Sequence, residues 1–342
     1  MVFIAWRKNK LFRWVISSLP SMRRGGVGGL RLKEKVLLVP LLLGMFWLGA
    51  RPVLADGVDL RELFSPARHQ GNRNTCAAFA AAALAEAILF QQAGVRVDLS
   101  EQHLYWLSKH RAPEGDWVRQ AYAAVDGIAG FLAVEALRFG VTDEAGWPYS
   151  LRNGVQLREP DCLRARGFEL LECFTGRLPS ELILGSTDDR RLALAPGRVE
   201  PVFVAREGIA EFMHREKRPV VVNLRWYSAL FDSRGNLARL PTPEEQEQCE
   251  SFGRGCGGHV VLLVGYLAET DRFILRNSWG TGWGDSGYGS VPREYVLKHC
   301  ETCSRERDLP SYPAEQRAFF EKSLQGVSAR LRGIQNGVSI RP

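Results

Sequence analysis

Apolar residues are arranged along the chain in three distinct ways. An uncharged run, VLLVPLLLGMFWLGA at 36–50, directly follows a segment dense in Lys and Arg. Residues 75–92, TCAAFAAAALAEAILFQQ, are strong helix formers, with Asn74 or Thr75 available as N-cap and Gly94 as terminator. Shorter helices are predicted at 100–109 and 131–139, the latter stopped by Gly140. Beyond about residue 200 the pattern changes. PVVVNL (219–224), VVLLVGY (260–266) and RFILR (272–276) are short apolar, β-branched runs between Gly-rich turns, and they predict strands. The order predicts an α+β protein of two lobes, helical over 56–175 and sheet-forming over 176–303, with a cleft at the seam where sites tend to form.

Charge separates the N-terminal segment from the rest. The 342 residues have a formal net charge of +7. Residues 1–55 hold ten Lys/Arg against the single acid Glu34, so the remainder has a net charge of −2. That balance gives no electrostatic case for a nucleic-acid partner. The basic stretch, the apolar run and the small residues Val53-Leu54-Ala55 follow the order of an export signal, with cleavage after Ala55. The run is short for a membrane span, so the only membrane attachment it allows is through this segment left uncleaved. An exported protein, periplasmic or extracellular, is therefore expected.

Export changes the reading of the seven cysteines, Cys76, Cys162, Cys173, Cys249, Cys256, Cys300 and Cys303. An odd number leaves one thiol over, and six cysteines permit fifteen pairings. Their short spacings point to Cys162–Cys173, Cys249–Cys256 and Cys300–Cys303. Cys76 then stands apart, in the first turn of the Ala-rich helix, where unpaired N–H groups favour a thiolate. Such a thiol needs a base. Of His69, His103, His110, His214, His259 and His299, only His259 follows a Gly-Gly pair and opens an apolar strand, which would project its ring from a rigid edge. Asn277, eighteen residues on, is placed by a two-stranded return to orient that ring. Together they supply a nucleophile, a base and an orienter.

HQGNRNTCAAF (69–79), LSEQHLYW (99–106), GGHVVLLVGY (257–266) and RNSWGTGWGDSGYG (276–289) resemble the papain family of cysteine peptidases, and the likeness extends over nearly all of 56–300. The resemblance implies a papain-like fold and hydrolysis of peptide bonds in a peptide or protein substrate, with no metal or organic cofactor. It implies Cys76 as nucleophile, His259 as base and acid, Asn277 as its orienter and Gln70 as oxyanion donor beside the Cys76 N–H. It also implies that Trp279 shields the His–Asn hydrogen bond. DGIAGF (126–131) matches the loop that pairs with substrate backbone, with Gly130 as the pairing glycine.

Several positions depart from the family pattern. The family's second cysteine, three residues before the nucleophile, is Arg73, and its partner's place is Gly127, so no disulfide staples the helical lobe there. The aromatic that follows the nucleophile is Ala77. Cys76 and His259 stand 183 residues apart, well beyond the roughly 130–150 expected, which places an insertion at about 160–210. Residues 304–342, with seven Lys/Arg and four acids, extend past the fold and read as a solvated tail or a regulatory segment. Other readings of the same residues are a catalytically silent peptide-binding domain, an amidase or transpeptidase acting on cell-wall peptides, and a zinc site at His299, Cys300 and Cys303. The presence of Cys76, His259 and Asn277 together argues against silence.

Overall fold

The computed structural model describes residues 57–111, 125–166, 169–180, 182, 193–194 and 204–301. The segment 1–55 that is expected to direct export, the tail 304–342 and, within the expected insertion, residues 167–168, 181, 183–192 and 195–203 lie outside the described residues.

The helical lobe is built around α1 (Cys76–Ala93), which packs on α2 (Glu101–His110) and α3 (Gly130–Ala136). Alanine explains the close assembly, because its small side chain lets neighbouring backbones approach. Ala77, Ala78, Ala81, Ala85 and Ala87 are completely buried. Gly94 ends α1 in the left-handed conformation at φ 68°, as expected. The start differs from expectation. Thr75 occupies the N-cap, but its hydroxyl bonds the Tyr149 hydroxyl at 2.6 Å instead of capping the helix. The first N–H groups of α1 are thus left for another acceptor. In α2, by contrast, Ser100 Oγ accepts from His103 N at 2.9 Å.

Two short helices, α4 (Pro160–Arg164) and α5 (Glu169–Thr175), are joined by the Cys162–Cys173 disulfide and carry a small core of their own.

The sheet lobe holds β1 (Val58–Asp59), β2 (Val220–Trp226), β3 (Gly257–Leu267), β4 (Arg272–Arg276) and β5 (Tyr288–Pro292), all antiparallel. β2 and β1 lie end to end along one edge of β3, β4 pairs with the other, and β5 follows β4. β1 comes from the stretch read as helical, and α6 (Ile209–Glu216), α7 (Pro243–Phe252) and α8 (Arg293–His299) come from the stretch read as sheet. α7 opens with a capping box in which Thr242 and Glu245 each bond the other's backbone. The Cys249–Cys256 disulfide joins its last turns to β3. Cys300 is also disulfide-bonded, while Cys303 lies outside the described residues, so Cys300 is not a free thiolate for the zinc reading.

β3 is buried on both faces and separates two cores. Val260, Leu262 and Val264 pack against the helices, whereas Val261, Leu263 and Tyr266 belong to the sheet-side cluster with Val222, Leu224, Phe273 and Leu275. Because α1 lies against β3, the first residue of the helix meets the N-terminal end of the strand.

Candidate active site

At that meeting point Cys76 touches the strand one residue beyond His259. The backbone N–H of Val260, the residue after His259, donates to Cys76 Sγ at 3.4 Å. Cys76 is the free cysteine among the described residues and is 8% exposed. The Ala77 N–H and its own N–H also face the sulfur, as the uncapped start of α1 allows. Burial nevertheless pushes the thiol above its ordinary value, and these three donors only partly offset that.

His259 is 7% exposed and projects from β3 opposite Leu224. Its Nε2 lies 2.8 Å from Asn277 Oδ1, and the same oxygen accepts the Ser278 backbone N–H at 2.8 Å. A backbone N–H can only donate, so the atom it meets is the amide oxygen. His259 Nε2 must then carry the proton, which leaves Nδ1 as the ring's free lone pair. Burial holds the imidazole down at about 4, against the upward pull of the Asn277 bond. Neither a lone thiolate nor a lone imidazolium is comfortable here. A proton passed from sulfur to ring creates both charges together, each the counterion of the other.

Aromatic rings fix the imidazole plane. Trp279 stacks on it at 4.8 Å and 25°, and Trp226 meets it edge-on at 4.9 Å. Trp279 itself packs edge-on against Trp226 and Trp283.

Gln70 reaches the site from a strap that crosses between the lobes. Arg276 holds the start of that strap through the Ser65 and Pro66 carbonyls at 2.8 and 3.1 Å. His69 bridges to Trp279, and the Gln70 N–H donates to the Ser278 carbonyl at 2.8 Å. The Gln70 amide is held at both ends, with Oε1 accepting from Ser278 Oγ and Nε2 donating to the Arg73 carbonyl at 2.6 Å. One Nε2 proton remains, on a side chain that lines the same cleft as Cys76 and His259.

The structure thus brings Cys76, His259, Asn277 and Gln70 to one place. It does not free Gly130, whose N–H is taken by Asn223 Oδ1 at 2.9 Å, and where a Cβ would meet that oxygen at 2.6 Å. The part of that loop lining the cleft is Gly127, Ile128 and Ala129. Sequence reasoning passed over Trp226, although the alternating burial of β2 and its pairing with Gly257 place it beside the imidazole. It also treated Arg73 only as a missing cysteine, whereas Arg73 is 1% exposed and hydrogen-bonded at several points.

The family model for papain family cysteine proteases matches residues 54–168 and 218–309. The chain is 26% identical over 228 residues to a cysteine protease of Blomia tropicalis, covering 66% of this chain and 57% of that protein. It is 28% identical over 266 residues to an aleurain-like thiol protease of Arabidopsis thaliana, covering 75% of this chain and 60% of that protein. It therefore spans 57–60% of the length of these relatives. Among solved structures it is similar in fold to xylellain, a cysteine protease from Xylella fastidiosa, with a TM-score of 0.54 and 23% identity over 74% of this chain and 87% of that one.

Proposed function

Because the chain belongs to the papain family of cysteine proteases, we propose that it cleaves peptide bonds in a peptide or protein substrate with Cys76 as nucleophile. The observation that carries the reading is the contact between Val260 N–H and Cys76 Sγ, which brings the sulfur to the strand residue next to His259. His259 Nδ1 takes the thiol proton as sulfur attacks the substrate carbonyl, giving a tetrahedral oxyanion. Gln70 Nε2 and the Cys76 N–H donate to that oxygen, a role typically worth about 3 kcal/mol for each such donor. The imidazolium then protonates the departing amine, leaving a thioester. His259 next removes a proton from water as it attacks the thioester, and the thiol is regenerated with release of the acid. Asn277 keeps Nε2 protonated and the ring oriented throughout, and Trp279 covers that bond, which strengthens it by excluding water.

The two resolved disulfides, with a third at Cys300, support action in an oxidising compartment, in line with the export segment. The test is labelling by a thiol-directed peptidyl epoxide, read by intact mass under reducing conditions. The wild type takes one label and cleaves peptides, whereas Cys76→Ala does neither. An unlabelled wild type, or a Cys76→Ala variant that still cleaves, overturns the assignment.

A further inference from the structure

We propose that Arg73 is a positioning residue whose buried guanidinium, standing where the family's second cysteine would be, holds the loop that aims Gln70 at the developing oxyanion. The proposal rests on the peptidase reading of the site.

Arg73 is among the most deeply buried large side chains of the described residues, at 1% exposure. Among the described residues no carboxylate forms an ion pair with it. Its Nη1 donates to Gln102 Oε1 at 2.7 Å and the Ser150 carbonyl at 2.6 Å, and its Nη2 donates to the Phe174 carbonyl at 2.8 Å. The guanidinium also lies over the faces of Tyr105 and Tyr149, 5.2 and 4.9 Å from the ring centres. Burying a cation without a counterion is costly, and here the compensation is three charge-assisted hydrogen bonds and two ring faces. Those acceptors lie 29, 77 and 101 residues along the chain, so one side chain binds α2, the 149–153 loop and α5 together.

The main chain of the same residue faces the chemistry. Its carbonyl accepts one Nε2 proton of Gln70 at 2.6 Å, and Ser278 Oγ occupies Gln70 Oε1. Only the second Nε2 proton is left to bond an oxyanion, and its direction is set by where the Arg73 carbonyl sits. Gly71 turns the intervening loop at φ 66°, a conformation that glycine permits but does not enforce, so the carbonyl needs an anchor beyond the loop itself. Tyr149 supplies part of it by donating to the Gln70 carbonyl at 2.8 Å, and Arg73 supplies the rest. The other end of the absent bridge is tied by polar contacts too. Asp126 accepts from the Asn74 N–H at 3.2 Å and the Tyr105 hydroxyl at 3.0 Å, joining the cleft loop to the helix start.

The experiment compares wild type, Arg73→Met, Gln70→Ala and the double variant on a peptidyl amide substrate, with active sites counted by titration of Cys76. Alkylation of Cys76 by iodoacetamide, which forms no oxyanion, is measured alongside. Arg73→Met is expected to lose about tenfold or more in kcat with KM within about threefold and the alkylation rate nearly unchanged. In the Gln70→Ala background the same change costs less than about threefold, because the donor it positions is already gone. Unchanged kcat, full multiplication of the two losses, or a parallel fall in alkylation overturns the proposal. Should Arg73→Met not fold, Arg73→Lys, which keeps the charge but not the fork, is judged by the same criteria. A wild type that alkylates at Cys76 yet cleaves no peptide overturns the peptidase reading itself, whereas cleavage by wild type with normal kcat in the Arg73 variants overturns only the positioning role.

Discussion

The two lobes place their shares of the site by different physical means. On the sheet side, His259 and Asn277 are set by backbone register: β3 pairs with β2 along one edge and β4 along the other, over a core of Val222, Leu224, Leu263, Phe273 and Leu275. On the helical side, Gln70 and the start of α1 are set by polar side chains, chiefly the buried Arg73, Gln102 and Thr75 and the half-buried Tyr149. A ladder distributes its load over many equivalent hydrogen bonds and much apolar surface, so no single polar side chain governs it. A side-chain network concentrates its load, because losing one member leaves the others buried and unpaired. Substitutions in the sheet should therefore be felt as stability, and substitutions in the helical network as catalysis.

The largest expected effect tests the sheet half of that contrast. Leu263 is completely buried and pairs with Val220 on one side and Leu275 on the other. Leu263→Ala should cost about 3–4 kcal/mol in chemical denaturation, from lost transfer energy and the cavity left behind. Activity per titrated Cys76 should stay within about twofold. A fall in kcat per active site as steep as the fall in stability would show that the strand is more than a scaffold for His259.

A smaller effect probes the helical half. Replacing both Cys162 and Cys173 by Ser opens a link with a sequence separation of 11, which the chain-entropy estimate makes worth about 2–3 kcal/mol. Phe174, which supplies an acceptor to Arg73, follows Cys173 directly, so the loosening should reach Gln70. The expectation is faster proteolytic nicking within 160–180 and a loss of about threefold in kcat, with the global denaturation midpoint shifted less than by Leu263→Ala. Unaltered kcat in a nicking-prone variant would mean that the α5 contact is dispensable for aiming the amide.

The same contrast decides what could be read from the sequence. The strands at 219–224, 260–266 and 272–276 and the Ala-rich helix were legible because local pattern dictates them, and Cys76, His259 and Asn277 lie on or next to those elements. The pairings Cys162–Cys173 and Cys249–Cys256 were legible because short spacings leave few partners in reach. What escaped depended on long-range side-chain contact. Arg73 registered only as a lost cysteine, since its acceptors are 29 to 101 residues away and no local periodicity announces them. Thr75 looked like a cap because nothing in its neighbourhood forecasts the Tyr149 hydroxyl, 74 positions downstream. α7 escaped for a different reason: it is mostly polar, and its signal was the capping sequence at Thr242 and Glu245 rather than an apolar stripe.

The smallest effect is a pH dependence that the contrast assigns to the helical side, in two groups two residues apart on α2. Glu101 is buried, and that burial raises its pKa to about 8; Arg68 at 3.1 Å pulls the other way but is 28% exposed, so its charge is shared with solvent and burial prevails. A carboxyl whose pKa is higher in the fold than in the open chain contributes stability below 4.5 that is lost as pH rises through about 8. His103 is also buried and is held down at about 4, with Nδ1 accepting the Thr142 N–H at 3.1 Å, a bond that a protonated ring cannot make. Its contribution has the opposite sign, present above 6.5 and lost as pH falls toward 4. Unfolding free energy should thus decline on both flanks within these windows. Urea titrations from acid to mildly alkaline pH should show the alkaline decline flattened in Glu101→Gln and the acid decline flattened in His103→Asn, whose amide oxygen can still accept from Thr142. If both variants keep the wild-type profile, the pH response does not originate in α2, and the claim that the helical lobe concentrates its sensitivity in a few buried polar groups loses its electrostatic half.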